Sequence, residues 1–223
     1  ATITAFLKEF KNDSDVGLVL KLNVAKNCIA DKLACEIRIE NIKKTVPDAK
    51  CKIYLLHGNM TDEELNSLYV HSKIKAIVST THGEGFGLPL FEAVCNGLPV
   101  IAPKWSGHVD FLLAPVKEDG KERMRNHFTT IEFELANVNK EAVWEGVIQA
   151  DSQWCFVKEF SVMDSMRKVY KNHPATLAVA RKLKEHILQE FDESKQQKKF
   201  MEVLDFNSSI EEWLKNMDIK NYE

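Results

Sequence analysis

The sequence predicts an α/β protein in which a parallel sheet is covered by helices on both faces. Three observations predict it. Short apolar runs without polar alternation, at residues 16–22, 52–56, 76–79 and 98–102, have the form of strands buried on both sides. Segments of helical period stand between them, so strand and helix alternate at least three times over short connections. That order selects parallel strands, and ligands of such sheets bind at the strands' carboxyl ends.

The first eleven residues place Ile3, Phe6, Leu7 and Phe10 at helical spacing, and Asn12-Asp13-Ser14-Asp15 ends that helix in a turn. Residues 16–22 follow as the first strand. Residues 24–46 carry a helical pattern with Ile29, Leu33, Ile37 and Ile39 on or near one side, stopped by Pro47-Asp48. Residues 52–56 make the second strand, and His57-Gly58-Asn59-Met60 is its exit loop. Thr61 is a good N-cap, Glu64 completes a capping box, and Leu65, Leu68 and Tyr69 give the next helix its buried stripe. The strand at 76–79 enters a loop with glycines at Gly83, Gly85 and Gly87. A helix from Pro89 to Cys95 then closes at Asn96-Gly97 with a left-handed residue.

Residues 98–102 form another strand, and Ser106 is placed to cap a helix carrying Val109, Phe111 and Leu112. Residues 114–127 are polar and charged and read as a solvated excursion, whereas 127–138 alternate as a strand or hairpin arm. Helices dominate beyond: 160–170 and 175–191, broken by Asn172-His173-Pro174, then one capped by Ser194 through Leu204. An amphipathic helix at 207–223 rests on Ile210, Trp213, Leu214 and Met217. The expected division is one domain over residues 1–205, with 206–223 as a terminal helix and tail. The chain opens without an initiator Met and in mid-pattern, so the expectation is a fragment truncated at its amino end.

A net charge of −3, from 30 basic and 33 acidic residues, gives no electrostatic case for nucleic acid or an acidic membrane surface. The five cysteines, Cys28, Cys35, Cys51, Cys95 and Cys155, show no zinc-ligand spacing and read as reduced, buried small apolar residues of an intracellular protein. No apolar run approaches the roughly 20 residues that a spanning helix needs, and no signal-peptide pattern is present. A cytoplasmic protein is expected.

The chemistry concentrates in Thr80-Thr81-His82-Gly83-Glu84-Gly85-Phe86-Gly87-Leu88-Pro89-Leu90-Phe91-Glu92-Ala93. Glycines let backbone approach a bulky ligand, and a helix N-terminus attracts phosphate through its free N–H groups and dipole. Glu84 falls in the loop and Glu92 in the helix's first turn, so both can face one ligand. A helix-start carboxylate is favoured by the dipole and suits a pair of ribose hydroxyls. Gly85, Phe86, Gly87 and Leu88 would offer N–H groups to a diphosphate between the two acids. Taken singly, each acid has a sufficient structural explanation; the combination argues for function.

These residues, with Asn96-Gly97-Leu98-Pro99-Val100-Ile101 after them and residues 56–65 before them, resemble the E-x7-E signature of retaining glycosyltransferases of the two-domain GT-B fold, family 4 (glycosyl transferases group 1). The resemblance implies a Rossmann-like sheet flanked by helices, the C-terminal half of a GT-B fold, with extra C-terminal helices. It implies donor binding: Glu92 to the ribose, the N–H groups of Phe86 to Leu88 to the pyrophosphate, Asn59 and Met60 to the base. Glu84 would act catalytically at the sugar hydroxyls near the anomeric carbon. His82 and His108 are further candidates, each with an adequate structural role. A UDP-, GDP- or ADP-sugar is the implied substrate, with no cofactor and no metal, and an N-terminal half would bind the acceptor. The family's diphosphate-neutralising Gly/Arg/Lys loop precedes this chain's first residue, leaving Lys104 and Lys52 as weak substitutes. Other readings are a non-catalytic nucleotide-sugar module and a fragment of a GT-B-like sugar-nucleotide epimerase. Asp13-Ser14-Asp15 formally matches a metal-binding Asp-x-Asp, but it sits in a helix-ending turn.

Overall fold

Strand and helix alternate in the order expected. The computed structural model describes residues 1–204, so the helix expected at 207–223 lies outside the described residues. Two units make up the chain, Ala1–Lys184 and Glu185–Glu223.

The first unit opens with α1 (Thr2–Glu9), β1 (Gly17–Leu22), α2 (Ile29–Lys44), β2 (Lys52–His57), α3 (Asp62–Val70), β3 (Ile77–Val78), α4 (Leu88–Cys95), β4 (Val100–Pro103) and α5 (Val109–Leu112). It continues with β5 (Leu113–Glu118), β6 (Lys121–Asn126), β7 (Thr129–Ile131), β8 (Phe133–Asn137), β9 (Gln153–Val157), α6 (Glu159–Lys171) and the greater part of α7 (His173–Glu190).

Two separate parallel sheets carry the strands that the alternation predicts. In one, β1 pairs β2 from Gly17 opposite Lys52 to Leu22 opposite His57. In the other, β4 lies between β3 and β7, with Val78 opposite Ile101 and Ala102 opposite Thr130. Every residue of β4 is buried, whereas β1 and β3 are only partly covered.

One helix layer is built by α1 and α6. Ala5, Phe6, Leu7 and Phe10 pack with Val162, Met166 and Val169 over Ile101 and Ile131, and Leu18, Ile53 and Val78 flank that core. Side chains alternate along a strand, so Val100 and Ala102 turn to the opposite face, against which α4 brings the buried Leu90, Ala93 and Val94. Arg167 ties the first layer together. Its Nε donates to Glu9 Oε1 (2.5 Å), its Nη1 to Asp13 Oδ2 (3.0 Å), its Nη2 to the Glu9 carbonyl (2.6 Å), and the guanidinium lies 4.5 Å from the Phe10 ring centre. Those carboxylates raise its pKa, the Glu9 hydrogen bond first.

Several expectations are corrected. The second helix begins at Ile29, because Ala25 and Asn27 hold left-handed φ values of 46° and 54° and the Asn27 side chain accepts from the Val24 N–H. Its inner face is Cys35 and Ile39, with Ile42 partly buried and Val46 buried just past its end, while Ile29, Leu33 and Ile37 stay exposed. Residues 113–126 are a hairpin, β5–β6, turning at Asp119-Gly120 with φ 51° and 74°. Residues 127–138 split between β7, in the parallel sheet, and β8, which pairs β9 antiparallel. Cys28 is exposed, unlike the buried Cys35, Cys51 and Cys155.

In the second unit, α8 (Glu193–Leu204) is capped by Asp192, whose Oδ1 accepts from Lys195 N (3.2 Å), and not by Ser194. Glu190 pairs with Lys195 and Lys199 across that junction. Among the described residues, no helix is long and apolar enough to cross a membrane.

Candidate functional site

The turn between β3 and α4 is clamped by a segment some twenty residues further along the chain. Ser106 Oγ accepts from the Glu84 N–H (2.9 Å) and donates to the Glu84 carbonyl (2.6 Å), and Gly107 N donates to that carbonyl as well (3.0 Å). Ser106 therefore holds the loop instead of capping α5, and it does so from a left-handed φ of 77°. The approach at Gly107 is close: a Cβ there would stand 2.0 Å from the Gly85 carbonyl oxygen. Gly87, with φ 90°, is the N-cap of α4, and a side chain on it would meet the His108 Cβ at 3.1 Å. The Phe86 ring packs against Phe91 and Phe111, with centroids 5.2 and 5.1 Å away. The loop is thus anchored both by the backbone of Glu84 and by the Phe86 ring. At the start of α4, Leu90 N and Phe91 N donate to the Gly87 carbonyl (2.9 and 3.0 Å) and Pro89 has no N–H, so it is the Leu88 N–H that the helix start leaves to an anion.

Glu84 and Glu92 enter no ion pair among the described residues. Glu92 is the fifth residue of α4 and so stands beyond the first turn, where the sequence pattern put it. The dipole support expected there falls off within one turn. A hydroxyl takes its place: Tyr69 Oη donates to Glu92 Oε2 (3.1 Å). Burial first, then the charge of Glu92 and the bond to it, push the Tyr69 phenol well above its usual range, so it stays protonated and a donor at neutral pH.

Beside α3 lies an open cleft of about 610 Å³, lined by Lys32, residues 55–60, Glu63, Glu64 and Ser67. It sits at the carboxyl end of β2. Met60 is half-buried in its wall. Asn59 Oδ1 accepts from Asn23 Nδ2 (3.2 Å) and Asn27 Nδ2 (3.0 Å), tying the loops after β1 and β2 together. Lys21 Nζ holds the same corner by donating to the Gly58 carbonyl (2.6 Å). The Nε2 of His57, another residue of the lining, is buried without a partner.

The two candidate histidines are both anchored. His82 donates from Nδ1 to the Cys155 carbonyl (2.7 Å), accepts at its own carbonyl from Cys155 N (3.2 Å) and stacks on Trp154 at 5.0 Å and 14°. His108 is wholly buried, and its Nε2–H donates to the Pro103 carbonyl (2.8 Å). Lys104 is exposed just past β4, on the carboxyl-end rim, whereas Lys52 opens β2 and so stands at the opposite end of its strand.

Sequence reading missed Tyr69, which looked like core, and the role of Ser106-Gly107. A Ser-Gly pair leaving a strand at the ligand-binding rim was the available signal for the latter.

Comparison with known proteins bears on this turn directly. A family model described as glycosyl transferases group 1 matches residues 39–114, the stretch holding the clamp, both acids and all of the cleft lining but Lys32. That match covers about a third of the chain, and what it establishes is a likeness of this stretch to glycosyl transferases group 1. Two Escherichia coli proteins, each named serotype-specific mannosyltransferase WbdA, are 34% identical to this chain over 100 residues, 45% of its length. The chain spans 11% of the length of those relatives. The 1.35 Å crystal structure of the C-terminal domain of a glycosyl transferase group 1 family protein, LpcC, from Francisella tularensis superimposes with a TM-score of 0.52 at 15% identity, covering 85% of this chain and 76% of that domain. The fold is therefore that of a GT-B C-terminal domain.

Proposed function

We propose that this chain is the donor-binding side of a retaining glycosyltransferase, which moves a sugar from a nucleoside diphosphate to an acceptor hydroxyl. The observation that carries the reading is the clamped Glu84–Glu92 turn on the carboxyl-end rim of parallel strands, with an open cleft at the end of β2. In this reading the base enters the cleft beside Met60, Glu92 takes the ribose hydroxyls, and the N–H groups from Phe86 to Leu88 face the diphosphate. Glu84 meets the sugar near its anomeric carbon. Hydrogen-bond donors at a helix start stabilise the charge that grows on the departing diphosphate.

The acceptor side is proposed to lie outside this chain, in a domain of about 150–200 residues. A central strand is proposed to come from outside as well. α1, α2 and α6 pack together, and α3 packs on α4. β1 is paired only by β2 and β3 only by β4, so each keeps one edge without a partner strand among the described residues. Thr2 Oγ1, at the start of α1, bonds Thr80 Oγ1 just past β3 (2.7 Å), where a strand leading into α1 would finish.

The test is calorimetry of the chain with UDP-, GDP- and ADP-sugars. The name of the Escherichia coli relatives puts mannosyl donors first. At least one donor should bind, and Glu92→Ala should weaken it about ten-fold or more, the scale of a charge-assisted hydrogen bond. An unaltered affinity in that variant sinks the assignment.

A further inference from the structure

We infer that Tyr69 is a positioning residue for the ribose end of the site, holding the Glu92 carboxylate in the orientation in which its other oxygen meets the sugar hydroxyls. The inference rests on the proposed donor-binding reading and adds a residue that the motif does not contain.

Glu92 stands on α4 past the turn where the helix dipole acts, so nothing in its own helix fixes its carboxylate. A half-buried glutamate has three side-chain torsions and loses rotamer freedom on binding. The hydrogen bond from Tyr69 Oη to Oε2 settles that freedom in advance. It engages one oxygen and, through the carboxylate plane, sets the direction of the other. The donor is itself fixed, because a tyrosine has only two torsions and this ring lies in the α3–α4 packing. Its phenol does not ionise at neutral pH, so the bond persists across the range in which nucleotides bind.

The position of Tyr69 adds a second consequence. Its helix supplies Glu63, Glu64 and Ser67 to the cleft wall, and Ser67 is two residues before Tyr69. One rigid element therefore lines the cleft and holds the carboxylate. α3 is itself anchored at its start by the Thr61–Glu64 capping box, with Glu64 N to Thr61 Oγ1 at 3.2 Å and Thr61 N to Glu64 Oε2 at 2.9 Å.

The experiment compares UDP, GDP and ADP with their 2′,3′-dideoxy counterparts by calorimetry on the wild-type chain, Tyr69→Phe and Glu92→Ala, with far-UV circular dichroism and thermal melts as the folding check. The wild type should prefer the ribose form of whichever diphosphate binds, and Glu92→Ala should erase that preference. Tyr69→Phe should reduce it about five-fold, the scale of one neutral hydrogen bond, while leaving the dideoxy affinity within two-fold. A purely structural role would weaken both forms alike, and that result overturns the inference. So does an unchanged ribose preference in Tyr69→Phe while Glu92→Ala loses it, an outcome that leaves the donor-site reading standing. If Glu92→Ala keeps the full preference, or if no diphosphate binds, the reading beneath falls and the inference with it.

Discussion

Gly107→Ala is the sharpest perturbation of the clamp. Its added Cβ would lie 2.0 Å from the Gly85 oxygen, 2.7 Å from the Gly85 carbonyl carbon and 3.0 Å from the Glu84 oxygen, all backbone atoms that no rotamer change can move. Opening the first contact merely to 3.0 Å requires a relative shift of about 1 Å. If the loop retreats, the bonds that Gly107 N and Ser106 Oγ make to Glu84, at 3.0, 2.6 and 2.9 Å, are stretched or lost, at about 1 kcal/mol each. If it stays, the overpacking costs about 1–3 kcal/mol. The two routes bracket a loss of about 1–3 kcal/mol, which for a chain of this size lowers the melting temperature by roughly 2–12 °C. Donor affinity should fall with it, because the displaced segment carries Glu84 and the loop N–H groups. Gly85→Ala is the control: a Cβ there meets nothing within 4 Å, so its stability should stay within about 0.5 kcal/mol of wild type. Urea unfolding and nucleotide calorimetry read both quantities. A Gly107→Ala protein as stable as the Gly85→Ala protein would refute the clamp.

Two further outcomes test the frame. Arg167→Lys should cost about 1–2 kcal/mol in urea unfolding, because an ammonium cannot reproduce the three donations that the guanidinium makes to Glu9 and Asp13; a neutral result would show the α1–α6 tie to be decorative. In the second unit, the Lys195 and Lys199 hydrogen bonds lower the Glu190 carboxyl from 4.5 to about 2. A depressed carboxylate contributes stability above its unfolded value and loses it as pH falls through the folded one. The contribution should therefore be complete above about pH 4.5 and fade toward pH 2, and it should be small because about a third of the side chain is open to solvent. A carboxyl NMR titration of Glu190 with a midpoint near 4.5 would contradict it.

Signals that act within one turn of chain were legible. Thr61 and Glu64 form the capping box their spacing announces, and Gly97 closes α4 at φ 73°. The apolar runs became strands, but the burial on both faces that they suggested holds for β4 alone: β1 and β3 are partly covered, and β2 exposes alternate residues. What failed depended on distant neighbours. Both stripes of α2 satisfy a helical period, and only the core around Phe6 and Val46 decides that Cys35 and Ile39 face inward while Ile29 and Leu33 do not. Ser106 looks like a cap to any local rule, yet Glu84 offers it a donor and an acceptor together. The β5–β6 hairpin was hidden by its charges, although Asp119-Gly120 marked the turn. In the site, the residue types and intervals of Glu84 and Glu92 could be read, whereas the groups that orient them could not.

In the proposed donor site, those orienting groups would let the two acids serve different ends of one ligand. Glu84 is fixed through its backbone by Ser106, 22 residues later; Glu92 is held through its side chain by Tyr69, 23 residues earlier. His82, at the head of the loop, is fastened to Cys155 across 73 residues. Three segments with no sequence relation to one another therefore set the geometry of a single turn. Each is attached to a different packed element: α5's entry, α3 and β9. Such a turn keeps its shape without a ligand, since no one clamp depends on another. A preformed loop loses little conformational entropy on binding, so the energy of its N–H groups and carboxylates can go into recognition instead of ordering. The independence of the clamps also means that damage should be local. Loosening Ser106-Gly107 disturbs the Glu84 end and the loop N–H groups, while loosening Tyr69 disturbs the Glu92 end alone.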